Sequence, residues 1–441
     1  MSHPKVPIGM LFKVVNGATP KSGEEDLWDG DIPWITPADL GKSSTANIAK
    51  GARSITREGL QSCGTQIVPV GSIVISTRAP IGHTSIAAEP LCFNQGCRGL
   101  IPIKTVFSKF GYWAILSENP TLQSEGQGTT FQELSRDKLK AIRIPLPDLP
   151  TQRRIADFLD RETARIDLLI EKKQRLVAVL SEKLSAFISN AVRGYFTSSG
   201  ATRCSDIEWF DSYPEHWIRM PLKALGNGPG AIFIDGNWIE SKDLSGSGVR
   251  YLTTGNVGQG VYKEQDARFI SNETFSRLKC TEVFPGDILI SRLNPPIGRA
   301  CIVPDLGARI VTSVDNVIVR PGDHIDRQFI VHLLTSVEHF ENTSNIARGT
   351  TMQRISRSAL GKIRIPLPPL VEQGEIARKL NAQAQAHLLI SDSIKRSIDR
   401  LREYRSALIT AAVTGQIDVD SHTRSGATDR RLDTTEEELG A

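Results

Sequence analysis

Two arginines at the ends of short apolar runs are well suited to binding an anion. Arg78 follows the run IVIST, and Arg292 follows ILIS. At the end of a strand, a guanidinium can hold a phosphate or form two hydrogen bonds with the edge of a guanine. It can equally brace the Pro-Ile-Gly turn that follows each arginine, and both roles stay open from the sequence.

Two Gly-Thr-Thr triplets form a second candidate anion-binding feature. The first contains Thr129 and Thr130, and the second contains Thr350 and Thr351. Their backbone amides and hydroxyls can donate hydrogen bonds to a phosphate, although the same residues also suit a loop that caps the next helix.

The segment Asn294-Pro295-Pro296-Ile297 resembles the NPPY-type motif with which amino-methyltransferases hold their target adenine. The aromatic residue that would stack on a flipped base is absent, and no glycine-rich cofactor loop precedes the segment. We therefore interpret the segment as a structural turn and predict no catalytic residue in this chain.

The composition bounds the other classes of function. Six cysteines without a CxxC pair predict reduced thiols and no zinc site. Without an apolar run of about 18 residues or a signal peptide, the chain is expected to be cytoplasmic and to have no membrane span. The net charge is +4, and an acidic tail after Gly415 leaves the rest of the chain more basic. A basic body permits nucleic-acid binding without establishing it.

The chain consists of two copies of one unit. GTTFQELSRDKLKAIRIPLP at 128–147 matches GTTMQRISRSALGKIRIPLP at 349–368 in 13 of 20 positions, at an offset of 221 residues. Further upstream, GSIVISTRAPIG at 71–82 faces GDILISRLNPPIG at 286–298. Each copy therefore has a variable front part and a less variable back part.

The two parts of each copy predict different secondary structure. Short apolar runs between Gly and Pro predict buried strands in the front parts. After each Ile-Pro-Leu-Pro segment, a stretch without Gly or Pro predicts a long helix. Apolar residues three or four apart give these helices a coiled-coil seam, which consists of Ile166, Leu169, Leu176, Leu180, Leu184 and Phe187, and of Ile390, Ile394, Ile398, Leu401 and Leu408.

Two helices of this kind predict a spacer between two globules. About forty residues at 1.5 Å each give a rod of roughly 60 Å, and two rods from one chain can bury their apolar stripes against each other. Paired readers address one face of a DNA duplex when they lie about one helical turn apart, roughly 34 Å. Because the front parts differ in sequence, we expect an asymmetric bipartite target with an unread spacer.

Three sets of residues carry a resemblance to a known family. They are GDIPWIT at 30–36, the two GTT-to-IPLP segments followed by Gln152 and Gln373, and IEW at 207–209 with PEHW at 214–217. Together with the duplication, they resemble the specificity subunit of type I restriction-modification systems over nearly the whole chain.

The resemblance implies an α+β fold with a pseudo-two-fold internal repeat. Two tandem α/β target recognition domains, similar to the recognition domain of adenine-N6 methyltransferases, would alternate with two long helices in an antiparallel intramolecular coiled coil. The expected division is a first recognition domain at 1–150, a central spacer helix at 151–194, a linker at 195–213, a second recognition domain at 214–371, a C-terminal spacer helix at 372–415 and a polar, disordered tail at 416–441.

The resemblance also implies partners. These are double-stranded DNA, two modification (methyltransferase) subunits and restriction (translocase and nuclease) subunits. S-adenosylmethionine, ATP and Mg are expected on those subunits, and no cofactor on this chain. Base-reading residues are expected in the loops that differ between the copies, with Lys42, Ser43, Ser44 and Arg98 as candidates in copy one and Asn256, Lys263 and Arg268 in copy two.

Three other functions stay open. The chain could be the specificity subunit of a type IIB enzyme, whose partner fuses restriction and modification. A self-sufficient DNA methyltransferase would need a glycine-rich cofactor loop, which is not visible. A pure scaffold would show no preference among DNA sequences.

Overall fold

The computed structural model describes residues 3–42, 45–78, 80–126, 133–196, 201–265, 267–349, 352–426 and 428. Its first half contains, in chain order, β1 (Lys5–Pro7), α1 (Ile8–Leu11), β2 (Phe12–Asn16), β3 (Trp28–Ile35), α2 (Pro37–Lys42), β4 (Asn47–Ile48), β5 (Arg53–Ile55), α3 (Arg57–Ser62), β6 (Ile73–Ser76), β7 (Thr84–Ala87), β8 (Cys92–Phe93), β9 (Cys97–Pro102), α4 (Ser108–Ser117), α5 (Asn119–Ser124), α6 (Arg136–Ala141), β10 (Arg143–Pro145) and α7 (Leu149–Val192).

The second half contains a similar series of elements. They are β11 (Thr202–Ile207), β12 (Phe210–Pro214), β13 (Ile218–Pro221), β14 (Ile232–Asp235), β15 (Leu244–Ser245), β16 (Val249–Leu252), β17 (Phe269–Ile270), α8 (Asn272–Arg277), β18 (Ile288–Ser291), β19 (Ala300–Ile302), β20 (Ile310–Thr312), β21 (Asn316–Arg320), α9 (Arg327–Leu333), α10 (Val337–Ile346), α11 (Arg357–Lys362), β22 (Arg364–Leu367), α12 (Leu370–Thr414) and α13 (Val419–Ser425). None of the described helices is long and apolar enough to cross a membrane.

The chain folds into two compact units that differ from the two sequence copies. Unit 1 comprises Met1–Arg175 and Ser393–Ala441, and unit 2 comprises Leu176–Asp392. The start of α7 and the end of α12 therefore belong to unit 1, whereas the end of α7 and the start of α12 belong to unit 2. The two long helices run antiparallel and pair as a coiled coil.

Both units contain the same sheets, even where their sequences differ. The order β2-β9-β6-β7 in unit 1, which β4 extends, corresponds to β14-β21-β18-β19 in unit 2. In a second sheet, β3 lies antiparallel to β5 and parallel to β8, and β16 lies antiparallel to β17 and parallel to β20. The central strands β6 and β18 are buried at every position, which explains their unbroken apolar runs. The internal repeat therefore extends through the variable front parts.

A buried glutamine joins the start of each long helix to its unit. Gln152, on α7, donates through Nε2 to the carbonyls of Thr105 and Pro147, at 2.9 and 2.8 Å. Its Oε1 accepts a hydrogen bond of 2.8 Å from the amide of Phe107. Gln373, on α12, makes the same three bonds in unit 2, to the backbone of His324, Pro368 and Asp326.

Replacing Gln152 by glutamate is expected to destabilise unit 1 by about 3 kcal/mol, because a carboxylate cannot donate to two buried carbonyls. The urea midpoint of unfolding measures this loss. Gln123→Glu, at an exposed position of α5, makes the same chemical change and is the control. Equal midpoints for the two variants would show that Gln152 does not hold the helix.

A glycine with positive φ follows the last turn of each long helix. The φ of Gly194 is 85° and that of Gly415 is 74°. Their amides donate to the carbonyls of Ala191 and Ala412, at 3.1 and 3.2 Å. A side chain is strained in this left-handed conformation, so glycine ends both helices at equivalent positions of the repeat.

The segment after each long helix packs on the start of the other helix. In unit 2, Phe210 of the β11–β12 hairpin is buried, and Trp217 Nε1 donates to Glu372 of α12 at 3.0 Å. In unit 1, α13 buries Val419, and the ring of His422 lies edge-on to Phe158 of α7. The segment expected to be a linker therefore contains the β11–β12 hairpin, and the segment expected to be a disordered tail begins with α13. Apolar residues of both segments cover the start of a long helix.

Most residues of the predicted seam lie between the helices or in the adjoining cores. Among them Ile166, Ile394, Ile398, Leu401 and Leu408 are buried. Half-buried positions are Leu169, Leu180, Leu184 and Phe187. Polar contacts also join the helices, from Arg405 to Asp167 at 2.8 Å in unit 1 and between Ser181 and His387 at 3.3 Å in unit 2.

Two predicted seam residues lie outside the seam. Leu176 is 47% exposed and Ile390 is 48% exposed. Because an α-helix turns about 100° per residue, Leu176 is rotated about 80° from Ile166, whereas Lys173 is rotated only about 20°. Lys173 is accordingly buried on the face of α7 where the seam prediction expected Leu176. The exposed Ile390 follows Leu388 and Leu389, which are exposed as well.

Unit 2 contains a fully buried histidine, His339. His339, on α10, contacts Trp209 edge-on, and its Nε2 lies 3.3 Å from the carbonyl of Gly298. Burial lowers the pKa of His339 to about 4. An unfolded chain has an ordinary histidine pKa, so between about pH 6.5 and pH 4 the unfolded state binds a proton that the folded state does not.

We therefore expect unit 2 to lose stability as the pH falls through this range, and His339→Phe to reduce the loss. Urea midpoints at pH 7 and pH 4.5 measure the effect. Equal pH dependence in the wild type and the variant would contradict this role of His339.

Candidate nucleic-acid interface

Arg78 and Arg292 do not occupy equivalent positions. Single β-bridges pair Arg78 with Glu133 in unit 1 and Leu293 with Arg354 in unit 2. Glu133 and Arg354 are equivalent in the repeat, at the offset of 221. Arg78 therefore corresponds to Leu293, and Arg292 lies one residue earlier. Because successive side chains of an extended chain point to opposite faces, this shift reverses the direction of the guanidinium.

Arg292 points into the protein and is only 4% exposed. Its guanidinium donates to the carbonyls of Ile355 and Val314 and forms an ion pair of 3.2 Å with Asp235. Burial lowers the pKa of Arg292, and Asp235 opposes that shift. These contacts commit Arg292 to the interior of unit 2 and contradict its predicted contact with DNA. They also differ from the predicted brace, because none of the three partners lies in the Pro-Ile-Gly turn.

Arg78 points outward into a group of charges at the end of β6. Its side chain is 44% exposed and forms an ion pair of 2.9 Å with Glu133. Arg98 lies 3.7 Å from the same carboxylate, and Arg136 of α6 is exposed nearby. Burial lowers the pKa of Arg98, Glu133 opposes this, and Arg78 and Arg136 lower it further. We call Arg78, Arg98, Glu133 and Arg136 cluster 1.

A related group lies at the same strand end in unit 2. Arg354 forms an ion pair of 2.9 Å with Asp315, and its side chain is 43% exposed. Arg357 lies 3.5 Å from Asp235, which Arg292 also contacts. We call these residues cluster 2, which comprises Asp235, Arg292, Asp315, Arg354 and Arg357.

The two clusters concentrate positive charge where the sheets end. Each contains three arginines, against one carboxylate in cluster 1 and two in cluster 2. Like charges at short distance repel each other, so this arrangement costs stability that an anionic partner would recover. Phosphates and the acceptor atoms of base edges are partners that arginines bind in this way. The clusters are therefore the candidate nucleic-acid interface of each unit.

In the sequence, each cluster contains a residue that closely follows one of the Gly-Thr-Thr triplets. Glu133 and Arg354 each follow the last threonine of a triplet by three residues. The predicted residues Thr129, Thr130, Thr350 and Thr351, together with Ser43 and Ser44, lie outside the described residues.

Arg299 contributes most of the side-chain hydrogen bonds that hold the Asn-Pro-Pro-Ile segment as a turn, and Thr343 adds one to the carbonyl of Ile297. Arg299 donates through one terminal nitrogen to the carbonyls of Leu293, Asn294 and Pro296. Its other nitrogens donate to Val257 at 2.7 Å and Thr254 at 2.9 Å. The prediction of a structural turn is confirmed, because the segment is fixed by its backbone carbonyls.

The loop candidates of unit 2 separate into two kinds. Asn256 is 4% exposed, accepts a hydrogen bond from the amide of Thr253 and donates to the carbonyl of Lys263. Its prediction as a base-reading residue is therefore wrong, because its side chain closes its own loop. The side chains of Lys263 and Arg268 are exposed between β16 and β17, and their DNA contacts stay predictions.

The candidates of unit 1 also differ in their surroundings. The side chain of Arg98 is only 12% exposed, and it donates to the carbonyls of Gln95 and Cys97. Lys42 is the exposed last residue of α2. The structure thus brings Arg98 together with Arg78, and the contact of Lys42 with DNA stays a prediction.

Sequence reasoning missed three arginines of the clusters. Arg136 and Arg357 are identical residues at equivalent positions of the repeat, so the alignment contained a signal for them. Arg354 replaces Glu133 at the corresponding position, and only the structure shows its place beside Asp315.

Comparisons with known proteins agree on one family. A family model described as the type I restriction modification DNA specificity domain matches residues 4–178 and 227–398. The chain is 37% identical over 174 residues to the MjaIX specificity subunit of Methanocaldococcus jannaschii, a match that spans 39% of each chain. It is 24% identical over 426 residues to the MjaVIII specificity subunit of the same organism, covering 94% of this chain and 92% of that subunit.

A solved structure supports the fold. It comes from work on complex assembly and conformational transition of the type I R-M system, and it superimposes with a TM-score of 0.67 at 16% identity. The match covers 94% of this chain and 98% of that chain.

Proposed function

This chain belongs to the family of type I restriction-modification DNA specificity subunits, the non-catalytic components of those enzymes, and we propose on that basis that it reads an asymmetric bipartite DNA target. Unit 1 reads one half-site and unit 2 reads the other, and the spacer between them is not read. Methylation and cleavage are carried out by partner subunits, which hold S-adenosylmethionine, ATP and Mg.

The observation that carries this proposal is the pair of arginine clusters. They lie at equivalent strand ends of one repeated scaffold, which suits two readers of the same kind. Their residues differ, since Arg78 and Glu133 are replaced by Leu293 and Arg354. Direct reading depends on which donors and acceptors meet the base edges, so unlike clusters favour unlike half-sites.

A second observation supports docking of two modification subunits. Leu168 on α7 and Leu389 on α12 are equivalent in the repeat, and they are 51% and 63% exposed. Leu168 lies in unit 1 and Leu389 in unit 2. Exposed apolar residues that group into a patch are typical of protein interfaces, and Leu389 lies beside the exposed Leu388 and Ile390. One member of the equivalent pair in each unit favours a complex with one specificity subunit and two modification subunits.

Co-expression with a modification subunit tests the proposal. We expect an affinity-tagged chain to purify with two modification subunits and to be required for adenine methylation of duplex DNA. Leu168→Ser and Leu389→Ser should each reduce the ratio towards one, whereas Leu149→Ser, at another exposed position of α7, should not.

Three outcomes would contradict the proposal. They are methylation by the isolated chain, a wild-type complex with a single modification subunit, and binding without preference among DNA sequences. A partner that carries both nuclease and methyltransferase activities would assign the chain to a type IIB enzyme instead.

A further inference from the structure

In each unit, one exposed arginine of the bridge at the strand end is held by one carboxylate. Arg78 is paired with Glu133, and Arg354 is paired with Asp315, both at 2.9 Å. The two arginine side chains are 44% and 43% exposed, so neither ion pair is closed off from solvent. Arg292 and Arg98 are committed to the protein, whereas Arg136 on α6 and Arg357 on α11 are also exposed but lie outside the bridge at the strand end.

The two arginines lie at corresponding ends of the central strands, but they occupy opposite members of the bridge found there. In unit 1 the arginine lies on the segment after the central strand, and the acidic Glu133 lies across the bridge. In unit 2 the residue after the central strand is Leu293, and the arginine, Arg354, lies across the bridge. Both units thus supply one outward guanidinium from the bridge at the strand end, and it comes from opposite members of that bridge in the two units.

The carboxylate distinguishes between two kinds of DNA contact. A phosphate carries a negative charge, which a neighbouring carboxylate repels. A base edge is neutral, and the planar guanidinium retains N–H groups beyond those that face the carboxylate. Two of these groups match O6 and N7 of guanine, the commonest specific contact of arginine in the major groove. A carboxylate that fixes the plane of the guanidinium also reduces the entropy lost on binding.

We propose, on the basis of the function proposed above, that Arg78 and Arg354 determine specificity by each binding one guanine of its own half-site. Glu133 and Asp315 are positioning residues that orient the two guanidinium groups. Arg292 takes no part in reading, because its guanidinium is used inside unit 2.

The test uses the full chain in complex with its modification subunit. The target is first mapped by adenine methylation, and binding is then measured with duplexes that carry each single base-pair substitution. We expect Arg78→Ala to weaken binding of the mapped target roughly ten- to a hundredfold and to abolish discrimination at one G·C pair of one half-site. Arg354→Ala should do the same at one G·C pair of the other half-site.

Two control variants test the role of charge. Lys104→Ala removes an exposed positive charge beyond the other end of β9 and should leave discrimination unchanged. Arg78→Lys keeps the positive charge but lacks the planar guanidinium that presents two N–H groups to one base edge. Base reading predicts that this variant discriminates less at the same G·C pair, whereas a purely electrostatic role predicts wild-type discrimination.

Several results would overturn the inference. One is an equal loss of affinity for all duplexes, together with a slope of log K against log salt concentration that is smaller by about one. This is the behaviour of a phosphate contact. Another is wild-type discrimination at that G·C pair by the Arg78→Lys complex. A wild-type complex that discriminates normally, together with an Arg78→Ala complex that does the same, would overturn this inference and leave the proposed function intact. A wild-type complex without any sequence preference would overturn both.

Discussion

Exchanging residues 1–147 for the same part of another specificity subunit should replace one half-site of the target and leave the other half-site unchanged. Cluster 1 lies entirely within these residues, and cluster 2 lies entirely outside them. Each cluster is built on its own sheets, so the front part of unit 1 carries its recognition residues with it. Adenine methylation mapped in the assembled complex measures the result.

The exchange has a structural requirement and a matched control. The exchanged part packs on Leu401, Leu408 and Val413 of α12, which remain from the original chain, so its apolar core residues must be compatible with them. The reciprocal exchange of residues 214–368 should alter the other half-site. A change in both half-sites after either exchange would show that the units do not read independently.

Replacing Arg292 by methionine should destabilise unit 2 by about 3 kcal/mol. The substitution removes the closest cation of the half-buried Asp235 and the donor of two carbonyls, and each buried acceptor left without a donor typically costs about 1–3 kcal/mol. Arg78→Met is the control, since an exposed ion pair contributes less than about 1 kcal/mol. Urea unfolding measures both losses, and equal losses would contradict the contrast between an inward and an outward guanidinium.

The same pair of variants separates stability from recognition. We expect folded Arg292→Met protein to direct methylation to the wild-type target, whereas Arg78→Met protein should be stable and altered in one half-site. The opposite result would place the guanidinium of Arg292, rather than that of Arg78, on the DNA.

The repeated scaffold could be predicted because its signals are strong and local. The GTT-to-IPLP segments and the helical periodicity indicate two copies and two long helices, and both are present. The seam prediction was wrong at Leu176, because apolar residues three or four apart gradually change face on a helix of 3.6 residues per turn. The contacts of Gln152 and Gln373 were not predictable, since their partners are distant backbone groups.

The recognition residues were harder to predict, and Arg292 shows why. Matching it to Arg78 requires an offset of 214, whereas the central strands align at 215. That difference of one residue decides between a buried brace and an exposed charge. The prediction for Asn256 was wrong for another reason. A polar loop residue can use its donors and acceptors within its own loop, and Asn256 does so with Thr253 and Lys263.

The most direct test of the account is the distribution of methylated adenines that the wild-type complex produces on a random-sequence duplex library. We expect two short specified blocks, different from each other and separated by a spacer of constant length and free sequence. A single contiguous block, or methylation without a shared sequence, would contradict the reading of a split target by two unlike units.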